Sequence, residues 1–319
     1  MKKISAIAFK AGQFLVVLII CIACSNSGTK YSDTPTTGNI RISVDETFKP
    51  IVQAEIQVFE GIYRYAKINA SYEPETEIFK DILKDSVRLI ISSRKLSQKE
   101  ADYFKSIKFF PKETRIAIDG IALIVNNSNP DTLISMKMLK DIVTGKITSW
   151  KQINPKSRLS NIKVVFDNPN SSTVRFIIDS ICKGNALSTG LSATKDNSDV
   201  VEIVAANPGS IGIIGVNWVS DQSDSTSMSF LNKIKVMSVS LSDNPTATNC
   251  FKPYQAYLST GDYPLRRDLY VINSDPRSGL PSGFASFLAS DRGQRIILKS
   301  GILPATQPVR IVHVNNNEY

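Results

Sequence analysis

Short apolar runs and amphipathic stretches alternate along most of the chain. The run IRISV at 40–44 predicts a strand, and Pro50 begins a stretch in which apolar residues recur at helical spacing as far as Ala66. The run SVRLIISS at 86–93 predicts a second strand, and the S-x-x-E pattern at Ser97–Glu100 predicts the capping box of a second helix. This alternation favours an α/β fold with largely parallel sheets.

The same alternation continues toward the C-terminus. The further predicted elements are, in chain order, a strand at 115–125 interrupted by Asp119-Gly120, a helix that ends at Gly145, a strand at 161–166, a helix from residue 174, a helix, turn and buried strand over 200–216, a strand at 267–273, and a helix at 282–301 with a break at 291–293. Ligands of such sheets bind beyond the carboxyl ends of the strands, where helices begin. This position groups three loops into one predicted binding region: 45–49, 92–97 and 167–173.

The stretch FDNPNSSTVRFIIDSICKG at 166–184 joins turn formers, hydroxyls and an apolar pattern. Apolar residues at i, i+3, i+4 and i+7 from Val174 predict an amphipathic helix, with Ser171 or Asn170 as its N-cap. The first-turn amides then lie beside three hydroxyls, those of Ser171, Ser172 and Thr173. This arrangement suits a dehydrated oxyanion, but it is equally typical of a helix cap without a ligand, and both interpretations stay open.

The N-terminal segment has the pattern of an export signal. Lys2 and Lys3 precede the apolar run FLVVLIICIA, which is short for a membrane span and typical of a secretory signal peptide. The sequence before Cys24 resembles a bacterial lipobox, which implies cleavage after residue 23 and lipid on the Cys24 sulfur. An uncleaved membrane anchor is the alternative. The polar residues 24–38 are predicted to be a flexible tether.

Composition excludes several classes of function. The chain has 38 basic and 29 acidic residues, a formal net charge of +9, and no basic block, which argues against nucleic-acid binding. The single histidine is His313, near the C-terminus, and no metal-ligand spacing is present, so neither His-dependent catalysis nor a His-based metal site is expected. An exported context permits a disulfide between Cys182 and Cys250, and the sequence leaves this pairing open.

Several motifs carry a family resemblance over about residues 40–305. They are, in chain order, SSRKLSQKE, IAIDGIALIVNNSNP, LKDIVTGKITSWKQI, NSSTVRF, NPGSIGIIGV, YPLRRDLYV and FLASDRGQRIILKSGILP. With these motifs the chain resembles the PstS-like phosphate-binding proteins of bacterial ABC importers, in the type II periplasmic-binding-protein superfamily.

The resemblance implies a two-lobed Venus-flytrap fold that closes on its ligand about a hinge. One lobe is expected to comprise 39–124 plus 258–319 and the other 125–257, each with a mixed, mainly parallel sheet flanked by helices. The implied protein is a monomeric binding protein, lipid-anchored at a bacterial membrane, that passes inorganic phosphate to an ABC permease without catalysis, cofactor or metal.

The resemblance also assigns an anion site. Carried over residue by residue, the contacts are Thr47, Phe48, Ser93, Arg94, Asp119, Ser171, Ser172 and Thr173, with Arg175 as a further candidate. Hydroxyls, amides and a guanidinium donate to the anion. The Asp119 carboxylate only accepts hydrogen bonds, so it favours an anion that still carries a proton, as phosphate does and sulfate does not.

Departures from the family pattern keep other functions open. Asp167 stands where some members have an arginine, Val174 follows the hydroxyl run where many have one, and Asp45 and Glu46 oppose an anion unless they point outward. The alternatives are a sensing or binding lipoprotein that no longer uses phosphate, and a binder of another oxyanion. A phosphatase-like enzyme with Ser171 or its neighbour as nucleophile is a third alternative, but the chain lacks a G-x-S-x-G elbow.

Overall fold

The computed structural model describes residues 33–220 and 231–306. The predicted signal peptide, Cys24 and His313 lie outside the described residues. Part of the predicted tether lies inside them and packs on the protein, because Asp33 Oδ1 accepts a hydrogen bond from the Leu280 amide at 2.8 Å. The segment from residue 33 is therefore not a free tether.

The strands of the described residues have six residues or fewer, except for the first, second, fourth and eleventh. They are β1 (Thr37–Asp45), β2 (Tyr65–Glu73), β3 (Leu89–Ser92), β4 (Lys112–Asn126), β5 (Leu133–Ser135), β6 (Lys163–Phe166), β7 (Ser192–Ala193), β8 (Ser210–Gly215), β9 (Ile234–Val236), β10 (Ser238–Ser240), β11 (Arg266–Asn273) and β12 (Leu303–Pro304).

Helices follow most of these strands. They are α1 (Lys49–Ile62), α2 (Glu75–Leu83), α3 (Gln98–Ser106), α4 (Met136–Val143), α5 (Trp150–Ile153), α6 (Ser172–Phe176), α7 (Asn197–Ala206), α8 (Gln255–Thr260), α9 (Leu280–Leu288) and α10 (Asp291–Lys299). None of the helices in the described ranges is long and apolar enough to cross a membrane.

Ten of the strands in the described part of the chain form one mixed sheet. Its main path is β2-β1-β3-β11-β4-β8-β6-β7, and β9 and β12 also pair with β4. Pairing is parallel around β1 and β6 but antiparallel around β4 and β11, so antiparallel pairing takes a larger share than the sequence predicted. A separate two-stranded parallel sheet joins β5 to β10.

Strand β4 belongs to both halves of this sheet. Up to Gly120 it pairs with β11, and from Ile121 onward it pairs with β8 and β9. We call the strands β1, β2, β3 and β11 with their helices the first half, and β6, β7 and β8 with theirs the second half. The lobe boundaries at 124 and 257 stay predictions, while the change of strand partner lies at 120–121.

Three groups of buried apolar side chains hold the fold together. The largest surrounds Phe59 beneath the first half and extends to α7, and the second surrounds Trp150 and Tyr263 in the second half. A smaller group, which includes Ile78 and Phe104, lies between α2 and α3. Burial of this apolar surface is the main force that positions the strand ends.

Residues 63–85 differ most from the sequence prediction. The helical pattern was expected to run to Ala66, but α1 ends at Ile62, and the sequence did not predict β2 or α2. β2 is an edge strand in which only Ala66 and Ile68 are buried, so its apolar pattern is too sparse to indicate a strand.

Two predicted interruptions are placed differently in the structure. β4 continues through Asp119-Gly120, because β11 pairs with β4 up to Gly120 and β8 pairs with it from Ile121 onward. The C-terminal helix breaks at Ala289–Ser290 rather than at 291–293, and Ser290 caps α10 by accepting from the Gly293 amide.

The predicted helix from residue 174 changes type. After α6 the chain forms a π-helical turn over Ile177–Cys182, in which Lys183 N donates to Ile178 O at 3.1 Å. A π turn adds about one residue per turn, so the apolar period shifts. Ile178 is 41% exposed, whereas Cys182 is buried. Cys182 and Cys250 are both free thiols.

Candidate functional site

A buried arginine from β11 lies at the centre of the candidate site. Arg267 is 6% exposed and donates from Nε to Asp119 Oδ2 at 3.0 Å. Its Nη1 donates to Ser172 Oγ at 2.9 Å, and its guanidinium carbon lies 5.0 Å from the centre of the Phe48 ring. The strand register positions the ion pair, because Arg267 stands directly opposite Asp119 in the β11–β4 pairing. The sequence analysis did not include Arg267 among the site residues.

The turn after β1 meets the start of α6 at this arginine. Thr47 Oγ1 lies 3.4 Å from Ser172 Oγ, although 125 residues separate them. The Thr47 carbonyl accepts from Asn217 Nδ2 at 3.0 Å and from Trp218 Nε1 at 2.8 Å, which fixes the turn against the second half. A Cβ at Gly215 would lie 2.5 Å from Thr47 Cγ2, so only glycine allows this approach.

Several buried polar atoms at this place have no hydrogen-bond partner among the described residues. They are Arg267 Nη2, Thr173 Oγ1, Asp119 Oδ1, Asp45 Oδ2 and Asn217 Oδ1. Buried polar groups in folded proteins are nearly always paired, so an unpaired group needs an explanation. The set combines donors with acceptors. A small anion that also carries a hydroxyl would satisfy both kinds.

The site contains more buried acid than a simple anion site requires. Burial raises the pKa of Asp45 to about 6, that of Asp167 to about 7 and that of Glu46 to about 8. Burial also raises the pKa of Asp119, although the Arg267 charge opposes this effect. Asp45, Asp167 and Glu46 therefore hold protons more readily than ordinary acids, which reduces their repulsion of an anion.

Glu75, the first residue of α2, accepts hydrogen bonds from three residues beside the site, and the Arg94 Nε lies 3.9 Å from its Oε2. Its Oε1 accepts from Ser92 Oγ and Ser93 Oγ, both at 3.0 Å, and Arg175 donates to both carboxylate oxygens. Glu75 is 2% exposed. Ser93 and Arg175 were predicted anion contacts, but the anion they bind in this structure is the Glu75 carboxylate.

Arg94 lies between two carboxylates, with its Nε 3.9 Å from Glu75 Oε2 and its closest contacts at Glu100. Its Nη1 and Nη2 donate to the two oxygens of Glu100 at 2.7 and 2.9 Å, and its guanidinium carbon lies 3.4 Å from the centre of the Phe79 ring. The Glu100 carboxylate also completes the capping box of α3 with Ser97, as the sequence predicted. The structure does not bring the Arg94 side chain to the atoms around Arg267.

Most of the chain matches one known protein family. The sequence profile described as the PBP superfamily domain matches residues 29–292, which is most of the chain. The chain belongs to the periplasmic-binding-protein superfamily. The fold of this PBP-superfamily protein is therefore the predicted two-lobed α/β fold.

Several similar proteins are named for phosphate binding or phosphate transport. The phosphate-binding protein PstS of Bacillus subtilis is 25% identical over 299 residues, which cover 91% of each chain. The PstS of Staphylococcus saprophyticus is 24% identical over 270 residues, which cover 83% of this chain and 79% of that one. An ABC-type phosphate transport receptor from Vibrio cholerae has a similar fold, with a TM-score of 0.63 at 20% identity, over 84% of this chain and all of that one.

The predicted residues of the PBP-superfamily chain fall into two groups. Those brought together around Arg267 are Thr47, Phe48, Asp119 and Ser172, and Thr173 follows Ser172 with its hydroxyl buried and unpaired. Ser171 adjoins them, but its hydroxyl is in use, since it caps α6 at the Val174 amide and donates to Asp167 Oδ1 at 2.6 Å. Ser93 and Arg175 form the second group with Glu75, and Arg94 adjoins this group, with its Nε 3.9 Å from Glu75 Oε2.

Two functional residues escaped the sequence analysis for different reasons. Arg267 was visible in YPLRRDLYV, but only the strand register shows which of its two arginines faces inward. Glu75 lies in a segment for which no element was predicted. In the described ranges no group of three or more His, Cys, Asp or Glu side chains is arranged to hold a metal ion.

Proposed function

We propose that this protein is an exported, lipid-anchored binding protein that captures inorganic phosphate between its two halves and passes it to an ABC-type permease. The observation that carries the proposal is the group of unpaired buried donors and acceptors around Arg267. Relatives that are phosphate-binding proteins by name support it. The protein acts as a monomer on the outer side of a bacterial membrane and catalyses no reaction.

The chemistry of the group fits phosphate better than sulfate. Arg267 Nη2, the Thr173 hydroxyl and the hydroxyls of Thr47 and Ser172 donate to phosphate oxygens. Asp119 Oδ1 accepts from a phosphate hydroxyl. Sulfate near neutral pH carries no proton, so it would leave this buried oxygen facing a negative charge.

Calorimetric titration of the mature chain from Cys24 onward tests the proposal. Phosphate and arsenate, which both retain a proton, are expected to release or absorb heat, whereas sulfate is not. Ser172→Ala removes a hydroxyl between Thr47 and Arg267 and is expected to weaken phosphate binding by roughly tenfold, the value of one hydrogen bond to a charged group. Absence of phosphate binding in the folded wild-type protein would overturn the proposal.

A second candidate function is that of a binding or sensing lipoprotein of the same fold that does not use phosphate. The observation that favours it is the occupation of Ser93 and Arg175 by the Glu75 carboxylate. The same titration separates the two functions, because this candidate requires that neither phosphate nor another oxyanion bind to the folded protein.

A further inference from the structure

Two serines and two arginines surround a single buried carboxylate beside the proposed phosphate site; the farther arginine is Arg94, with its Nε 3.9 Å from Glu75 Oε2. Ser92 Oγ and Ser93 Oγ donate to Glu75 Oε1, and Arg175 donates from Nε to Oε2 and from Nη2 to Oε1 at 3.3 Å. Arg175 Nη2 also donates to Ser93 Oγ at 2.8 Å. Hydroxyls and a forked guanidinium are the donors that a protein uses to bind a free oxyanion.

This contact joins opposite ends of the sheet. Glu75 follows β2, which is the edge strand of the first half, and Arg175 follows β6, which lies next to the other edge. The backbone adds a second connection, in which Thr76 N donates to Asn170 O at 3.5 Å. The two halves can separate only if the ion pair between Glu75 and Arg175 breaks.

Burial makes that separation unfavourable. The Glu75 side chain is 3% exposed and the Arg175 side chain 32% exposed, so the carboxylate is almost fully removed from water. A buried charge that loses its partner remains poorly solvated until water reaches it. Ser92, Ser93 and Arg94, whose Nε lies 3.9 Å from Glu75 Oε2, stay with Glu75 in the first half, so opening removes the nearer of its two charged partners.

We propose that Glu75 is an internal substitute for a bound anion, which holds the two halves closed without any ligand. By occupying Ser93 and Arg175, its carboxylate also confines an external anion to the donors around Arg267. The inference goes beyond phosphate capture, and it stands whether or not phosphate is the ligand.

Trp218 reports the separation of the halves. Its indole, which follows β8 in the second half, donates to the Thr47 carbonyl of the first half at 2.8 Å, and the residue is 8% exposed. The other tryptophan, Trp150, is fully buried and donates to Gly209 O at 3.0 Å within the second half. Opening is therefore expected to increase quenching by acrylamide at Trp218 while Trp150 stays protected.

The experiment compares Glu75→Gln with Glu77→Gln in the full chain, without phosphate. Glu77 lies on the same helix, but its carboxylate forms an exposed pair with Lys80, so it is the matched control. Glu75→Gln is expected to raise the quenching constant by about twofold or more, because the neutral amide loses the ion pair with Arg175 and replaces one of its two acceptor oxygens with a donor. Wild type and Glu77→Gln are expected to remain equally protected.

Two outcomes would overturn the inference: equal quenching in Glu75→Gln and Glu77→Gln, or a wild-type protein already as quenchable as Glu75→Gln. Circular dichroism checks that each variant is folded. If Glu75→Gln does not fold, Arg175→Gln, which removes the positive charge from the other side of the ion pair, is expected to show the same increase, and its absence would be equally decisive. Phosphate binding is measured in a separate titration. A protein that fails to bind phosphate can therefore still show the predicted difference in quenching.

Discussion

At the scale of single residues, the candidate site depends on the geometry of one guanidinium. Arg267 donates in two directions, to Asp119 and to Ser172, and a third nitrogen stays available. A lysine ammonium is a point charge on a flexible stem and does not reproduce this fixed fork. Charge alone therefore does not account for the arrangement.

Arg267→Lys is predicted to weaken phosphate binding by roughly 10- to 100-fold, because a hydrogen bond to a charged group contributes about 1.5–3 kcal/mol. Calorimetry measures the change. Arg266→Lys is the matched control, since the neighbouring Arg266 is exposed and donates to Leu258 O. Equal affinities for phosphate in the two variants would contradict the role assigned to Arg267.

At the scale of elements, the short helix α6 separates capping from ligand binding among adjacent hydroxyls. The Ser171 hydroxyl accepts from the Val174 amide at 3.2 Å and donates to Asp167, so both its functions are local. The Ser172 hydroxyl instead faces Thr47 and Arg267. Ser171 caps α6, and the capped first turn holds the Ser172 hydroxyl toward Thr47 and Arg267.

Ser171→Ala is predicted to lower the free energy of unfolding by about 1 kcal/mol, the usual cost of losing an N-cap, while phosphate affinity changes less than about twofold. Urea unfolding and calorimetry measure the two quantities. Ser135→Ala is the control, because Ser135 caps α4 by the same contact with the Met138 amide. A loss of phosphate binding as large as that of Ser172→Ala would show that Ser171 contacts the ligand.

At the scale of the whole molecule, buried carboxyl groups determine how stability depends on pH. Besides the acids of the site, Glu55 on α1 is 1% exposed, neither of its oxygens has a partner in the described residues, and burial raises its pKa to about 9. An acid whose pKa is higher in the folded chain than in the unfolded chain binds more protons when folded. Lowering the pH below the raised pKa of about 9 therefore increases the free energy of unfolding, until the unfolded chain takes up the same protons.

The free energy of unfolding is predicted to fall from about pH 5.5 to about pH 8.5, as the folded chain loses protons that the unfolded chain has already lost. Glu55→Gln removes one such proton and is expected to flatten the decline, measured by urea unfolding at both pH values. Glu202→Gln, at an exposed pair with Lys233, is expected to leave the slope unchanged. A rise in stability over the same range would contradict the assignment.

The sequence predicted the local elements that have strong signals of their own. The capping box of Ser97 and Glu100 is present, Gly145 follows α4 with φ of +81°, and the hydroxyl run lies at the start of a helix. Each depends on residues within a few positions of one another, so local chemistry is sufficient. The edge strand β2 has a weak signal and was missed.

The sequence by itself determined the alternation of strands and helices, the helix caps and the motifs that identify the superfamily. Only the tertiary structure decided that Arg267 pairs with Asp119, 148 residues away, and that Glu75 pairs with Arg175, 100 residues away. The first pair depends on the register of β11 against β4, and the second on the approach of the two ends of the sheet. Such long-range pairings result from packing of the whole chain, so no local pattern of residues records them.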